Sequence, residues 1–147
     1  RGKKRLSSLK RIASETDDGF GSSMMENDAF KNKIASLEID LEAIEYAELR
    51  TLASVSEGKA PGPESSILKI VGTELSQRID EAFVELAAYH CLPFVPDQFE
   101  DGFQGDYISP GNSASAALTY FNNRKATIYG GSNEIQRNII CKAVLGL

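Results

Sequence analysis

The apolar residues of this chain recur at helical spacing in three segments, and residues that break helices separate these segments. The first segment ends near Ser14, and the second runs from Asp28 to about Glu57. The third follows "GKAPGPESS", where Gly62 is a possible N-cap and Pro63 suits the first helical position, and it ends near His90. Steps of three and four residues put apolar side chains on one face, so each segment is predicted to be an amphipathic helix.

These apolar positions predict the core. They are Leu6, Leu9, Ile12 and Ala13 in the first helix; Phe30, Ile34, Leu37, Leu41, Ile44, Ala47, Leu52 and Val55 in the second; and Ile67, Ile70, Val71, Leu75, Ile79, Ala82, Phe83 and Leu86 in the third. The stripe of the third helix is wide, so that helix is predicted to be largely covered.

The last third of the chain changes character. From Leu92 to Asn112 it is rich in Pro, Gly and Asp and keeps no period, and so long a loop is usually functional or bound to a partner. A helix is predicted around Ala114 to Asn123, and a closing helix should bury Ile135, Ile139, Ile140 and Ala143. The pattern predicts an all-α fold, an antiparallel four-helix-type bundle in one domain over residues 1–147.

Charge and composition exclude several classes of function. The net charge is −5, so the basic cluster at the start is interpreted as the solvated face of a helix, and no nucleic-acid partner is expected. This cluster consists of Arg1, Lys3, Lys4, Arg5, Lys10 and Arg11. No apolar run approaches the roughly 18 residues of a membrane helix, so no membrane association is expected.

Three further features bear on the context of the chain. Cys91 and Cys141 lie far apart without a partner at ligand spacing, which predicts neither a metal site nor a disulfide. A reducing compartment fits best, either the cytoplasm or a mitochondrial matrix. Helical spacing is already present at Arg1, so we expect the chain to be a fragment that begins inside a helix.

The most informative stretch is the glycine turn near the end. Gly130 and Gly131 can adopt backbone angles closed to other residues and let a ligand approach the main chain. Ser132 is a good N-cap for the helix that follows, with Asn133 and Glu134 in its first turn. From the residues alone, a purely structural turn explains this pattern as well as a binding site does.

The literal string adds a resemblance. "IYGGSNEIQRNIICKAVLGL" resembles the C-terminal signature of the acyl-CoA dehydrogenase family, which reads approximately Ile-Tyr-Glu-Gly-Thr-Asn-Glu-Ile-Gln-Arg. The match covers Ile128 to Arg137 with two differences, Gly130 for Glu and Ser132 for Thr. The C-terminal domain of these flavoenzymes is a helical bundle of about this length, which agrees with the predicted helices.

This resemblance implies a three-part enzyme in which FAD and an acyl-CoA thioester lie between an N-terminal helical domain, a β-domain and this bundle. In the family, a Glu carboxylate takes the α-proton while a β-hydride passes to the flavin, and electrons leave to an electron-transferring flavoprotein. The resemblance also implies a homo-oligomer, usually a tetramer, or a hetero-oligomer. The isolated fragment, without the β-domain, is expected to be inactive.

The chain departs from the commonest pattern at the base, because the catalytic Glu would stand at Gly130. Some branches of the family carry the base on the first helix of the C-terminal domain, which would place it upstream of Arg1. The alternative is a paired subunit that lacks a base and serves assembly. An unrelated helical interaction domain with a chance match is a third alternative.

The resemblance assigns roles by position. Tyr129, Gly130 and Gly131 would contact the acyl-CoA thioester, although Tyr129 is equally well explained as a buried packing residue. The flavin contacts would be Gly131, Ser132, Asn133 and Glu134, and the helix N-terminus there would favour a negative group such as a pyrophosphate.

Other positions are less specific. Arg124 pairs either with a phosphate or, as we favour, with an acidic residue on the adjacent helix. His90 is interpreted as a capping or loop residue. Many members carry Gly-Gly-x-Gly where this chain has "AAYHCLPFVPDQ", and an Arg-x-x-Phe-Gly motif at the second helix is also missing. The loop aromatics Phe94, Phe99, Phe103 and Tyr107 are candidates to replace the lost adenosine contacts.

Overall fold

The computed structural model describes residues 2–60, 62–106 and 114–146. Five α-helices are present there: α1 (Gly2–Glu15), α2 (Asp28–Ser56), α3 (Glu64–Ala87), α4 (Ala116–Asn123) and α5 (Asn133–Ile140). Turns of 3₁₀ helix lie at Ala88–Cys91, Pro96–Phe99 and Arg124–Thr127, and a π-helical turn, Cys141–Leu145, follows α5. The only β-type pairing in the described ranges is one isolated bridge between Asp17 and Ser23. The prediction of an all-α fold is confirmed.

Helix α3 is the centre of this antiparallel bundle, since α1, α2, α4 and α5 all pack against it. The core lies between α1, α2 and α3, and Leu9, Phe30 and Ile79 are among its fully buried side chains. All four apolar positions predicted for α1 are buried. A smaller cluster of Ala87, Cys91 and Ala116 joins the end of α3 to α4.

Helix α2 begins as the sequence predicts and has a cap that the sequence analysis missed. The side chain of Asn27 accepts a hydrogen bond of 3.1 Å from the Phe30 amide, which satisfies one donor of the first turn. The prediction for its C-terminal half is wrong, because Leu52 and Val55 are exposed. Lys3, near the start of α1, forms an ion pair with Glu45 of α2, which precedes these exposed positions.

Both ends of α3 differ slightly from the prediction. The cap position is Pro63 and not Gly62, and the α-helix ends at Ala87 and not near His90. A Cβ on Gly62 would meet the end of the Glu64 side chain, which is exposed and can move aside. The helix is largely covered as predicted, except that Ile67 and Val71 are exposed.

The basic cluster of α1 is a solvated face only in part. Lys3 and Lys10 bond at 2.6 Å to Glu45 and Glu38 of α2, and the bond to Glu45 raises the pKa of Lys3. The prediction is wrong for Arg5, whose guanidinium turns inward to Asp80 of α3. A buried carboxylate requires a charged partner, and Arg5 is the cation that reaches it. Arg1 lies outside the described residues.

The described part of the predicted loop from Leu92 to Asn112 contains a 3₁₀ turn at Pro96–Phe99, and residues 107–112 of that loop lie outside the described ranges. Helix α4 starts two residues later than predicted, at Ala116. In the ranges that the structure covers, no helix has both the length and the apolar character required to cross a membrane.

Candidate functional site

The glycine turn between α4 and α5 has the backbone conformation that the sequence predicts. Gly130 has φ +70° and Gly131 has φ +81°, in the left-handed region that residues with a Cβ rarely adopt. A Cβ on Gly130 would meet nothing within 4 Å, so this side of the turn is open. The turn therefore presents bare main chain at the surface of the bundle.

Gln136 of α5 closes the turn from the C-terminal side. Its Nε2 donates a hydrogen bond of 2.9 Å to the carbonyl oxygen of Gly130. A Cβ on Gly131 would lie 2.7 Å from the same nitrogen. Both glycines are favoured by their backbone angles, and a Cβ on Gly131 would in addition displace the end of the Gln136 side chain.

Ser132 is the N-cap of α5, which confirms the prediction. Its hydroxyl oxygen accepts a hydrogen bond of 3.4 Å from the Ile135 amide. Glu134 lies in the first turn, where a bond from its own backbone amide, followed by one from the Ser132 hydroxyl, lowers the pKa of its carboxyl. The N-terminus of α5 therefore carries a negative charge beside the glycine turn.

Asn133 is the buried member of the predicted flavin set. Only 3% of the residue is exposed, and its side-chain oxygen accepts hydrogen bonds from Lys69 Nζ at 2.7 Å and from Thr73 Oγ1 at 3.4 Å. Its side-chain nitrogen donates to Glu74 at 3.3 Å. Lys69, Thr73 and Glu74 all belong to α3, so the Asn133 side chain joins the signature segment to the central helix.

The sequence analysis missed Lys69. This lysine stands between Leu68 and Ile70 in the apolar stripe of α3, and it is half-buried. Its ammonium group also donates a hydrogen bond of 3.1 Å to the carbonyl of Thr127. A cation inside an apolar stripe has to find polar partners, and that interruption was the signal available in the sequence.

The remaining predicted substrate contact, Tyr129, is 55% exposed, so it does not pack in the interior of this bundle. Arg124 is also exposed, and its guanidinium lies 5.3 Å from the ring centre of Tyr120. No acidic residue in the described part of the chain forms an ion pair with Arg124, so the favoured interpretation of an acidic partner is wrong.

The apolar face of α5 does not join the core, which contradicts the sequence analysis. Ile135 and Ile139 are exposed by 52% and 44%, Ala143 is exposed and Ile140 is only half-buried. Helix α5 contacts the bundle through α3, where polar Asn133 occupies the buried position. Together with Ile128 and Tyr129, this helix leaves an apolar surface next to the glycine turn.

The region after α3 keeps a glycine-like backbone without a glycine. Ala88 has φ +46°, the only positive value found outside glycine in the described residues. His90 lies exposed in the 3₁₀ turn that follows, as the loop interpretation predicts. Phe94 and Phe99 are exposed and Phe103 is half-buried, whereas Tyr107 lies outside the described residues.

Neither cysteine is placed for metal chemistry in the part of the chain that is described. Cys91 is buried, Cys141 is half-buried, and both are free thiols. No cluster of three His, Cys, Asp or Glu residues that could bind a metal ion occurs within the described ranges.

Comparison with solved structures agrees with the observed fold. The chain aligns over 99% of its length with a chain of the ChsE4–ChsE5 complex from Mycobacterium tuberculosis, with a TM-score of 0.73 and 21% identity. It aligns equally well with PigA, solved with FAD and proline, with a TM-score of 0.73 and 16% identity. It covers 35% and 33% of those two chains, respectively.

Comparison of sequences identifies the family. Acyl-CoA dehydrogenase IpdE1 of Mycolicibacterium smegmatis is 71% identical over 46 residues, which are 31% of this chain and 12% of that protein. The family model for the acyl-CoA dehydrogenase C-terminal domain matches residues 8–145. The chain therefore belongs to the acyl-CoA dehydrogenase family, within its C-terminal domain.

Proposed function

We propose that this chain is the C-terminal bundle of a longer FAD-dependent acyl-CoA dehydrogenase, in which the Gly130–Gly131 turn faces the flavin and the acyl-CoA thioester. The observation that carries this proposal is the open turn of two left-handed glycines directly before the capped helix α5. Bare main chain lets a flat ring system approach closely, and the capped helix keeps that main chain in one place.

The open main chain of the turn fits the close approach of a flat flavin ring. Bound FAD supplies the acceptor for a hydride from the β-carbon of the thioester. The chain's own contribution is a shaped, glycine-lined wall with Tyr129 beside it, and it supplies no proton acceptor at Gly130.

The catalytic base belongs elsewhere in the longer protein under this proposal. Glycine has no group that accepts a proton, so the carboxylate comes from residues upstream of Arg1, on the helix that continues into α1. Glu134 is a poor substitute, because the bonds that lower the pKa of its carboxyl also make it a weaker base. The isolated chain is expected to leave acyl-CoA unoxidised.

The exposed apolar surface of α5 supports a role in contacts with other domains or subunits. Ile128, Ile135 and Ile139 are large and apolar, and each is exposed in this chain. Exposed large apolar side chains that lie near one another commonly mark an interface. An electron-transferring flavoprotein is the proposed electron acceptor, and the cytoplasm is the proposed compartment.

The test is an anaerobic titration of the full-length, flavin-loaded protein with a panel of acyl-CoA thioesters, monitored by the visible absorbance of oxidised flavin. Loss of that absorbance with at least one thioester is the expected result. The matched control is free CoA, which has no α-proton to lose and should leave the flavin oxidised.

A second candidate function is favoured by the absence of any side chain at Gly130. In that case the chain belongs to a base-lacking subunit that pairs with a catalytic one, and the bundle serves assembly. A flavin that stays oxidised with every thioester, in a protein that forms a stable complex with a second family member, would refute the first proposal and favour this one.

A further inference from the structure

One ammonium group holds both ends of the glycine turn. Lys69 Nζ donates to the carbonyl oxygen of Thr127 at 3.1 Å, before the turn, and to the side-chain oxygen of Asn133 at 2.7 Å, after it. The segment between these two residues contains Gly130 and Gly131. A single side chain of α3 therefore fixes the start and the finish of the turn against the central helix.

Asn133 is engaged on both sides of its amide. Its oxygen accepts from Lys69 and Thr73, and its nitrogen donates to Glu74, whose carboxylate also accepts from Arg137 of α5 at 3.1 Å. The Asn133 side chain thus faces α3 and is almost completely buried. This arrangement occupies the groups that a direct contact with a ligand would need.

We infer that Lys69 and Asn133 form a clamp that sets the orientation of the Gly130–Gly131 turn, and that Asn133 is a positioning residue for the flavin site without touching the flavin. What the turn faces rests on the proposed function above. The clamp itself rests only on the contacts between α3 and the segment from Thr127 to Asn133.

The clamp answers a physical requirement of the turn. Two adjacent glycines have more backbone freedom than any other pair of residues, so an unrestrained turn would sample many conformations. Gln136 restrains the Gly130 carbonyl from one side, and Lys69 restrains both ends from the other. Lysine suits this task because its ammonium group has three donors and can serve two neutral oxygens at once.

The first experiment is hydrogen exchange of the backbone amides in the full-length protein, in the wild type and in Lys69→Met. Methionine keeps an unbranched apolar chain and loses the donors. We expect exchange in the peptide covering residues 128–136 to become about tenfold faster or more, since hydrogen bonds from a charged group are lost there. Exchange in α1 and α2 should stay unchanged.

The matched control is Lys125→Met. The Lys125 ammonium also donates to one neutral side-chain oxygen, that of Asn122 at 2.7 Å, but the residue is exposed and contacts the segment only through its backbone carbonyl, which the substitution keeps. Exchange of residues 128–136 in this variant should equal that of the wild type. Lys69→Arg, which keeps a cation and several donors, should restore most of the protection.

The functional arm uses the visible spectrum and the dissociation constant of bound flavin in the same proteins. Lys69→Met and Asn133→Ala should weaken flavin binding about tenfold or alter the flavin spectrum, whereas Lys125→Met should do neither. Unchanged exchange at 128–136 in Lys69→Met, or equally faster exchange throughout the core, would overturn the clamp.

If exchange at residues 128–136 becomes faster in Lys69→Met while flavin binding and the flavin spectrum stay as in the wild type, the positioning role is refuted. The proposed function is not affected by that result. Conversely, a wild-type flavin that no thioester reduces refutes the proposed function, while the exchange data still decide the clamp.

Discussion

The guanidinium of Arg5 on α1 donates a hydrogen bond to the carboxylate of Asp80 on α3, and Asp80 is almost completely buried at the centre of the bundle. The same guanidinium donates to Ser76 at 3.1 Å, and the second carboxylate oxygen of Asp80 accepts from Asn123 of α4. This polar network therefore joins three helices around one buried charge. Its geometry fixes how α1 and α4 sit on α3.

The first prediction concerns this charge. Asp80→Ala leaves Arg5 without its partner in a largely enclosed site, so the variant should lose about 3 kcal/mol of unfolding free energy. Urea denaturation of the chain, followed by circular dichroism, measures this loss. Removing both charges, in Arg5→Met with Asp80→Leu, should recover a large part of it, because no unpaired charge remains.

The control for Asp80 is the exposed pair of Arg11 and Glu15 on α1, which bond at 3.0 Å. Glu15→Ala should cost less than about 0.5 kcal/mol, since exposed pairs contribute little. Equal losses of unfolding free energy in Asp80→Ala and Glu15→Ala would show that the buried network contributes no more to stability than an exposed ion pair.

The helices of the bundle could be predicted from the sequence because apolar spacing shows which face of each helix is apolar. Leu6, Leu9, Ile12 and Ala13 are all buried as expected. The inward direction of the Arg5 side chain could not be predicted, because in the sequence Arg5 is one of several basic residues near the start of the chain. Its inward direction depends on Asp80, which lies 75 positions away in sequence.

The second prediction separates the core from the apolar surface of α5. Ile79 of α3 is 1% exposed and Ile139 of α5 is 44% exposed. Ile79→Ala should lower the unfolding free energy by about 2 to 5 kcal/mol through lost burial and a new cavity. Ile139→Ala should lower it by less than about 1 kcal/mol, because little burial is lost.

The unfolding free energies of Ile79→Ala and Ile139→Ala are measured by chemical denaturation of this chain under one set of conditions. A large loss in Ile139→Ala would mean that α5 buries its apolar face in this chain after all. The burial of this face was wrongly predicted because helical periodicity shows that a face is apolar and gives no information on which molecule covers it.

The third prediction tests the glycine-like backbone of Ala88. An alanine at φ +46° stores strain that a glycine does not, so Ala88→Gly should raise the unfolding free energy by about 1 kcal/mol. The neighbouring Ala87 has ordinary helical angles, with φ −73°. Ala87→Gly should therefore lower the stability by about 1 kcal/mol, and thermal unfolding midpoints that shift in opposite directions would support the assignment.

The fourth prediction concerns the two glycines of the turn. Gly130→Ala should cost about 1 kcal/mol through its left-handed angle alone. Gly131→Ala should cost about 1 kcal/mol more, because its Cβ displaces Gln136 and breaks the bond to the Gly130 carbonyl.

A double-mutant cycle isolates that second cost. In the background Gln136→Ala the displaced group is absent, so the two alanine substitutions should become equal in stability cost. If Gly131→Ala still costs more stability than Gly130→Ala in this background, the extra cost arises from the backbone of Gly131 and not from the displacement of Gln136.

The site illustrates a limit similar to that of the fold. The cap at Ser132 and the glycine turn could be predicted, because both depend on residues that are adjacent in sequence. The partners of Asn133 could not, because Lys69 and Glu74 precede it by 64 and 59 positions. Caps and turns can be predicted from neighbouring residues, whereas the hydrogen-bond partners of a buried amide depend on the tertiary packing.

The last prediction follows from the lowered pKa of the Glu134 carboxyl. Its ionised form is stabilised by its own backbone amide and by the Ser132 hydroxyl. A lowered folded-state pKa means that this stabilisation of α5 is complete at pH values above the ordinary pKa of a glutamate and is lost as pH falls through the lowered pKa.

An NMR titration of the side-chain carboxyl carbon measures the pKa of Glu134, and Glu134→Gln identifies the signal. Ser132→Ala should raise the pKa without restoring its ordinary value, because the larger cause remains, while Ser132→Thr keeps a hydroxyl and should leave it low. A pKa identical in the wild type and in Ser132→Ala would mean that the cap does not stabilise the Glu134 carboxylate.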